Sequence, residues 1–276
     1  MGANFGPVGW EAIVYPYEGM IAETVCYPGY DGDVIESYVA RPLGPSPVGG
    51  VVVIHHAPGW DSWTKEVARK LAHNGFAAVA PHLYCRFGPG SWDDVTAAAR
   101  AAGGVSDDQV IGDVKGSMEY LRTLVNHNGR IGVIGFCSGG RHSYLVACTV
   151  PGIDAAVDCW GGRVVADRPG DINPKQPVQV LDLTKNLSCP LLGIFGNDDP
   201  NPSPAHVNRT EDELMKYNKN YEFHRYDGAG HGFFAADRSG YRPEQAVDGW
   251  SKVLAFYRRY LTAESEAPAA VGAAAR

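Results

Sequence analysis

A cysteine framed by glycines is the most chemically suggestive feature of the sequence. Cys137 lies in the stretch GVIGFCSGGRH, residues 132–142, between Gly135 and Gly139. The apolar run before it predicts a strand and the residues after it predict a helix. A reactive side chain at such a sharp turn needs neighbours without a β-carbon, and the start of a helix favours a thiolate. The pattern predicts a nucleophile; the alternative is a small residue buried in a glycine-rich corner.

An acid and a histidine follow two later apolar runs. Asp198 and Asp199 come just after CPLLGIFG, and His231 lies in the glycine-flanked stretch GAGHGFF. The carboxyl ends of parallel strands meet at one edge of a sheet, so these side chains and Cys137 are expected to converge. Taken singly, an Asp pair in a turn and a histidine near glycine are commonplace. The chain order nucleophile, acid, histidine is that of the α/β-hydrolases and predicts a catalytic triad.

An earlier strand end supplies a candidate oxyanion hole. In this arrangement one backbone N–H comes from the residue after the nucleophile, here Ser138, and a second from the loop after an earlier strand. The stretch VVVIHHAPGW, residues 51–60, offers Ala57 as the second donor. His55 and His56 beside it remain open to other interpretations: packing, positioning of a loop or water, or a metal pair that lacks a third ligand.

The elements that must position these residues follow a regular pattern. AETVCYPG and VIESYVARP flank an Asp-Gly turn and predict an N-terminal antiparallel hairpin. Continuous apolar runs separated by helix-length segments then predict a mostly parallel, doubly wound sheet with helices on both faces, the α/β-hydrolase fold. The predicted strands cover 51–56, 76–81, 130–136, 153–160, 189–196 and 221–228, and the predicted helices 62–74, about 107–127, 139–148, 205–217 and 243–261.

One domain accounts for this pattern. Residues 1–262 are predicted to form it, and the segment 86–106, rich in Gly, Pro and Ala, is interpreted as a loop that forms a lid over the site. The remaining residues, 263–276, have no apolar face to bury and are predicted to be a disordered tail.

Composition excludes several classes of partner. The 276 residues carry a formal net charge of −7 without a Lys/Arg cluster, which argues against nucleic acid. No apolar run approaches the roughly 20 residues of a membrane span, and the first residues lack a signal-peptide layout. The six cysteines show no CxxC spacing and are interpreted as free thiols in a reducing compartment. We expect a cytoplasmic monomer or homodimer that acts on a small molecule.

Together these motifs resemble the dienelactone hydrolase family over residues 23–262. The matching features are Gly-x-Cys-x-Gly-Gly at 135–140, GFAAVAPHLYCR at 75–86, the acidic turn at 196–204 and GAGHGFF at 228–234. The resemblance implies a Cys-His-Asp triad that hydrolyses a lactone or activated ester without metal or organic cofactor. Carried over, Cys137 is the nucleophile and His231 the base. Spacing from Gly196 selects Asp199 as the acid, whereas spacing to Pro202 selects Asp198; we favour Asp199.

The resemblance has one departure. Well-known members of the family carry a glutamate that pairs with the resting cysteine, and His56 stands at that place here. Substrate contacts are predicted for His56, Arg86 and Trp160, with Arg141, Arg163 and Arg238 as further arginines available to an anionic substrate. The predicted function is ester or lactone hydrolysis through a thioester; the alternatives are a carboxylesterase for uncharged esters and a non-catalytic ligand-binding scaffold.

Overall fold

The computed structural model describes residues 19–262, so the predicted tail at 263–276 lies outside the described residues. An eight-stranded sheet has the order β1-β2-β4-β3-β5-β6-β7-β8. The strands are β1 Met20–Pro28, β2 Val34–Pro42, β3 Val48–Ile54, β4 Ala77–Pro81, β5 His127–Phe136, β6 Ala155–Cys159, β7 Leu191–Gly196 and β8 Tyr221–Tyr226. The β1–β2 and β2–β4 pairs are antiparallel and all others are parallel, which confirms the predicted sheet and its N-terminal hairpin.

Helices cover both faces of the sheet, as predicted. They are α1 Ser62–His73, α2 Trp92–Ala101, α3 Asp107–Thr123, α4 Ser138–Thr149, α5 Pro204–Lys216 and α6 Pro243–Leu261. Val51 and Val53 pack into a core with α1 and α6, while Val52 and Ile54 pack into a second core with α3 and α4. Successive strand side chains point to opposite faces, so a strand buried on both faces is a continuous apolar run.

The segment 86–106 differs from the sequence interpretation. It is not a loop throughout, because α2 forms within it. Ser91 and Asp94 make a reciprocal capping box at its start, and Val95 and Ala99 are buried in a core. The apolar side chains of one helix face therefore hold most of this segment against the sheet, and its role as a lid stays a prediction.

The connections that follow five of the parallel strands lie at one edge of the sheet. β3, β5, β6, β7 and β8 run in the same direction, so the residues that follow them gather at their carboxyl ends. This edge carries Ala57, Cys137, Asp199 and His231. None of the helices in residues 19–262 combines the length and apolar character that crossing a bilayer requires.

Candidate active site

Cys137 occupies a strained turn between β5 and α4. Its backbone has φ 56° and ψ −119°, a conformation that L-residues rarely adopt. A β-carbon at Gly135 would collide with the carbonyl oxygen of Gly139, and one at Gly139 would collide with that of Ile54. The flanking glycines thus let the first turn of α4 approach β3 and β5 closely while Cys137 faces the pocket.

Asp199 and His231 are joined at the neighbouring strand ends. His231 Nδ1 donates a hydrogen bond to Asp199 Oδ2 at 2.7 Å, and Asp199 Oδ1 accepts one from the backbone N–H of Asn201 at 2.8 Å. Asp199 is only 2% exposed, whereas Asp198 is exposed to solvent. Of the two aspartates that the sequence offered, Asp199 contacts the imidazole and fixes its orientation.

The sulfur of Cys137 is surrounded by hydrogen-bond donors. Burial disfavours the thiolate, yet hydrogen bonding and charge from His231, together with the backbone N–H groups of Ser138 and Ala57, lower the pKa of Cys137 below its usual value. Burial likewise disfavours the imidazolium, but Asp199 and Cys137 raise the pKa of His231 above its ordinary range. The two shifts favour a thiolate–imidazolium pair.

The other cysteines have different environments. All six are free. Burial raises the pKa of Cys148 and of Cys189 to about 12, and it also raises the pKa of Cys85 and Cys159. Cys137 differs from these four cysteines, because its surroundings lower its pKa. Cys26 is exposed on β1, away from these groups.

A pocket of about 360 Å³ opens over Cys137. Its lining comes from five of the strand-end connections and consists of Ala57, Cys137, Ser138, Gly162, Arg163, Asp199, Pro200, Asn201 and His231. The sequence-predicted triad and oxyanion residues therefore meet at one cavity. Sequence reasoning named Arg163 only among four arginines and missed Gly162, Pro200 and Asn201; their position just after an apolar strand is the signal that marks them.

His56 lies behind Ala57 in the loop at 55–61, which we call the oxyanion loop after the role predicted for Ala57. Its Nε2 donates to Asp61 Oδ2 at 2.7 Å, and the same oxygen accepts from Arg238 at 3.2 Å. The ring lies beside Trp63, and Asp61 also caps the start of α1. His56 therefore ties the loop that carries Ala57 to α1, and it does not line the pocket.

Two other predicted substrate contacts also lie outside the pocket lining. Arg86 donates to both carboxylate oxygens of Asp113, at 2.9 and 3.0 Å, and to Asp33 at 2.8 Å. Trp160 is 2% exposed and packs edge-on behind His231, with 6.4 Å between ring centroids. Arg86 thus connects the N-terminal hairpin to α3. Trp160 packs behind the ring of His231 and supports the loop that carries it.

Two residues outside the pocket hold the oxyanion loop. Tyr84 Oη donates to the carbonyl oxygen of Ala57 at 3.3 Å, and Thr96 Oγ1 donates to that of Pro58 at 2.8 Å. The sequence gives neither residue this role, because both contacts cross between distant segments. Since Thr96 belongs to α2, the segment 86–106 reaches the site through the backbone of this loop.

Comparisons with known proteins agree with this arrangement. The model of the dienelactone hydrolase family matches residues 35–261. A Methylorubrum extorquens protein named "Putative carboxymethylenebutenolidase" is 34% identical over 88% of this chain and 82% of its own length. One with the same name from Escherichia coli K12 is 32% identical over 92% of this chain and 93% of its own length.

A solved structure agrees as well. The crystal structure named as a putative dienelactone hydrolase from Klebsiella pneumoniae superposes with a TM-score of 0.80 at 28% identity, covering 88% of this chain and all of the other. The family match spans most of the chain and two relatives exceed 30% identity over most of their length. The chain therefore belongs to the dienelactone hydrolase family, and it is a hydrolase with the α/β-hydrolase fold.

Proposed function

We propose that this hydrolase cleaves a lactone or activated carboxylic ester of a small molecule through Cys137, His231 and Asp199. One observation carries the proposal: a lowered-pKa thiol, a histidine bound to a buried aspartate and two backbone N–H donors meet at a single pocket. The pocket volume of about 360 Å³ suits a small ligand. The relatives' names point to the same class of reaction.

In the first step the Cys137 thiolate attacks the ester carbonyl carbon. The carbonyl π electrons move to its oxygen, and the N–H groups of Ser138 and Ala57, which converge on the sulfur, stabilise that oxyanion. As the C–O bond breaks, the His231 imidazolium gives its proton to the leaving alkoxide. The products of this step are an alcohol and a thioester on Cys137.

In the second step water cleaves the thioester. Neutral His231 removes a proton from the water as the hydroxide oxygen bonds to the acyl carbon, and the thiolate leaves when the oxyanion collapses. Asp199 accepts from Nδ1 throughout, which keeps Nε2 as the atom that exchanges protons. Thiolate expulsion is easier than amine expulsion, so esters and lactones fit this site better than peptides.

Hydrolysis of a chromogenic aryl ester tests the proposal. We expect wild type to release p-nitrophenol from p-nitrophenyl hexanoate, and Cys137→Ala to lose several orders of magnitude in kcat, because removal of a triad nucleophile costs up to about 10⁶-fold. Cys26→Ala, which removes an exposed thiol, is the matched control and should retain activity. Equal activity of wild type and Cys137→Ala would contradict the proposal and favour a non-catalytic scaffold.

A further inference from the structure

The peptide group between His56 and Ala57 presents one of the two predicted oxyanion donors. Its N–H, which belongs to Ala57, donates to the sulfur of Cys137. This peptide bond is trans, so its carbonyl points in the direction opposite to its N–H. The group that binds the carbonyl oxygen of His56 therefore also fixes the direction of the Ala57 N–H.

Two hydrogen bonds hold that carbonyl. The backbone N–H of Gly59 donates to the oxygen of His56 at 2.9 Å, and the imidazole Nδ1 of His55 donates to the same oxygen at 2.8 Å. The first bond lies entirely within the turn 56–59. The second comes from a buried side chain that directly follows β3, so it connects this peptide to the end of a central strand.

The ring of His55 is itself closely packed. It is 2% exposed, and the ring of Tyr84 meets it at an angle of 78° with 4.6 Å between the ring centroids. The backbone beside it is equally crowded, because a β-carbon at Gly139 would lie 2.7 Å from the carbonyl oxygen of His55. A donor with so little room to move restrains the carbonyl of His56 more firmly than a flexible side chain would.

The bond to His56 also determines the tautomer of His55. A carbonyl oxygen only accepts, so Nδ1 must carry the proton. Burial lowers the pKa of His55 to about 3, so the ring is neutral and Nε2 is unprotonated. Among residues 19–262 Nε2 has no hydrogen-bond partner.

Such a ring is costly if its only role is to fill space. Buried polar atoms are normally paired, and an apolar side chain of similar size would not bury an unpaired nitrogen. The advantage of histidine at position 55 therefore lies in its Nδ1–H.

We propose that His55 is a positioning residue for the oxyanion hole: by holding the carbonyl of the His56–Ala57 peptide, it keeps the N–H of that peptide directed at the oxygen that becomes negative. This role rests on the proposed hydrolase function. Rotation of the peptide would break the bond to Nδ1 and leave its buried N–H without an acceptor. The bond also polarises the peptide, which strengthens its N–H as a donor. A donor aligned before the reaction needs no reorganisation when the oxyanion forms.

Two substitutions separate positioning from packing. His55→Phe keeps a flat ring against Tyr84 but removes the donor, and we expect kcat on p-nitrophenyl hexanoate to fall about 10- to 100-fold, less than the roughly 10²- to 10³-fold that loss of a whole oxyanion donor costs. KM should change little, because the oxyanion forms only in the transition state. In His55→Asn the amide nitrogen is bonded to Cγ, as Nδ1 is in histidine, so most of the activity should return. A packing role predicts the reverse order, because the shorter asparagine leaves a cavity, and that order would overturn the proposal.

The matched control is His224→Phe, the same exchange at a half-buried histidine on β8. It should leave kcat and KM unchanged. Equal losses of kcat in His55→Phe and His224→Phe would show that the effect is not specific to the oxyanion peptide and would overturn the proposal. Thermal unfolding of each variant confirms that it is folded.

The thiol reports on the same peptide without any ester. In a Cys26→Ser background, the rate of iodoacetamide alkylation against pH gives the apparent pKa of Cys137. His55→Phe should shift that pKa upward, because the Ala57 N–H is one of the donors that lower it, and His55→Asn should leave it near the wild-type value. This result is expected even if no ester is hydrolysed, so it separates failure of the positioning role from failure of the hydrolase proposal. Equal profiles for wild type and His55→Phe would overturn the role.

Nuclear magnetic resonance tests the tautomer in the wild-type protein. Two-bond proton–nitrogen correlations of protein labelled with ¹⁵N-histidine distinguish a protonated Nδ1 from a protonated Nε2, and His55→Asn identifies the signals of His55. We expect His55 to carry its proton on Nδ1 across the neutral pH range, because the pKa of the ring is lowered to about 3. A proton on Nε2 instead would refute the proposal, because Nδ1 would then have no hydrogen to donate to the carbonyl of His56.

Discussion

The reactivity of Cys137 depends on which of two opposed effects is larger. Burial alone raises the pKa of a thiol, as it does for Cys148. At Cys137 the imidazole of His231 and two backbone N–H groups outweigh burial, and the pKa falls. The proposed nucleophile thus differs from the other thiols in the hydrogen-bond donors around it rather than in its exposure.

Alkylation against pH measures this balance. Below the pKa of Cys137 the thiol is protonated; above it the thiolate–imidazolium pair persists until His231, whose pKa is raised to about 10, loses its proton. In a Cys26→Ser background we expect iodoacetamide to modify Cys137 with an apparent pKa below the roughly 8.5 of a free thiol. His231→Gln should move that pKa upward by removing the imidazolium. Preferential labelling of another cysteine, or an unshifted profile in His231→Gln, would contradict this prediction.

The two adjacent aspartates are expected to contribute very differently. Asp199→Asn replaces the acceptor of the His231 Nδ1 proton, favours the wrong tautomer and should lower kcat by several orders of magnitude, on the scale of about 10⁴ known for a serine-protease triad. Asp198→Asn is the isosteric control one residue away and should cost less than about threefold, as exposed positions generally do. Steady-state hydrolysis of p-nitrophenyl hexanoate checks both. The reverse ranking would move the triad acid to Asp198.

At the residue scale, spacing predicted which side chains meet at the candidate site but not the partners of the residues around it. Gly-x-Cys-x-Gly and the strand ends located Cys137, Asp199 and His231, because those positions are set by periodicity along the chain. Arg86 was expected at the substrate, yet it binds Asp113. Which carboxylate an arginine meets depends on how distant segments pack, and one sequence does not contain that information.

At the element scale, helix α2 supports the loop that carries Ala57. Ser91 and Asp94 have the residue types and spacing of a capping box, which predicts the start of a helix. The Gly and Pro residues just before them favour a loop instead. Burial of Val95 and Ala99 decides the outcome in favour of a helix. The contact from Thr96 to Pro58 then makes the geometry of the oxyanion loop depend on this element.

Removing that contact should affect both stability and catalysis. Thr96→Val keeps the shape of the side chain but leaves the half-buried carbonyl of Pro58 without its donor, at a cost of about 1 kcal/mol, the net value of an ordinary hydrogen bond. We expect kcat on p-nitrophenyl hexanoate to fall severalfold, because Ala57 is then less firmly placed. The matched control is Thr123→Val, which removes an exposed hydroxyl bonded to Tyr120. Equal kcat in both variants would show that α2 does not position the oxyanion loop.

On the scale of the whole molecule, two hydrophobic cores on opposite faces of one sheet fix the relative positions of five strand ends. The continuous apolar runs made this architecture predictable, since only a sheet covered on both faces buries consecutive side chains. The connection between β6 and β7 was not predictable in the same way. Its turn at 160–163 is shaped by Asp158 and Asn201 from separate segments, and it brings Arg163 to the wall of the pocket.

A buried ion pair connects the candidate catalytic helix to the rest of the fold. Arg141, 1% exposed on α4, donates to both carboxylate oxygens of Asp107 at the start of α3, at 2.6 and 3.1 Å. Arg141→Met leaves that carboxylate buried without a partner, and we expect the free energy of unfolding to fall by about 3–5 kcal/mol. Urea denaturation followed by circular dichroism measures the change. Arg122→Met, at an exposed arginine paired with Glu119, should cost less than about 1 kcal/mol.

The double variant separates a structural pair from a recognition role for Arg141. Arg141→Met combined with Asp107→Leu removes both charges, and we expect it to recover most of the lost stability, because apolar replacement of a whole buried pair is often close to neutral. Since Arg141 does not line the pocket, kcat/KM for p-nitrophenyl hexanoate should match that of wild type. A double variant as unstable as Arg141→Met alone would refute the pairing argument. A double variant that recovers its stability but has a higher KM than wild type would instead place Arg141 in substrate recognition.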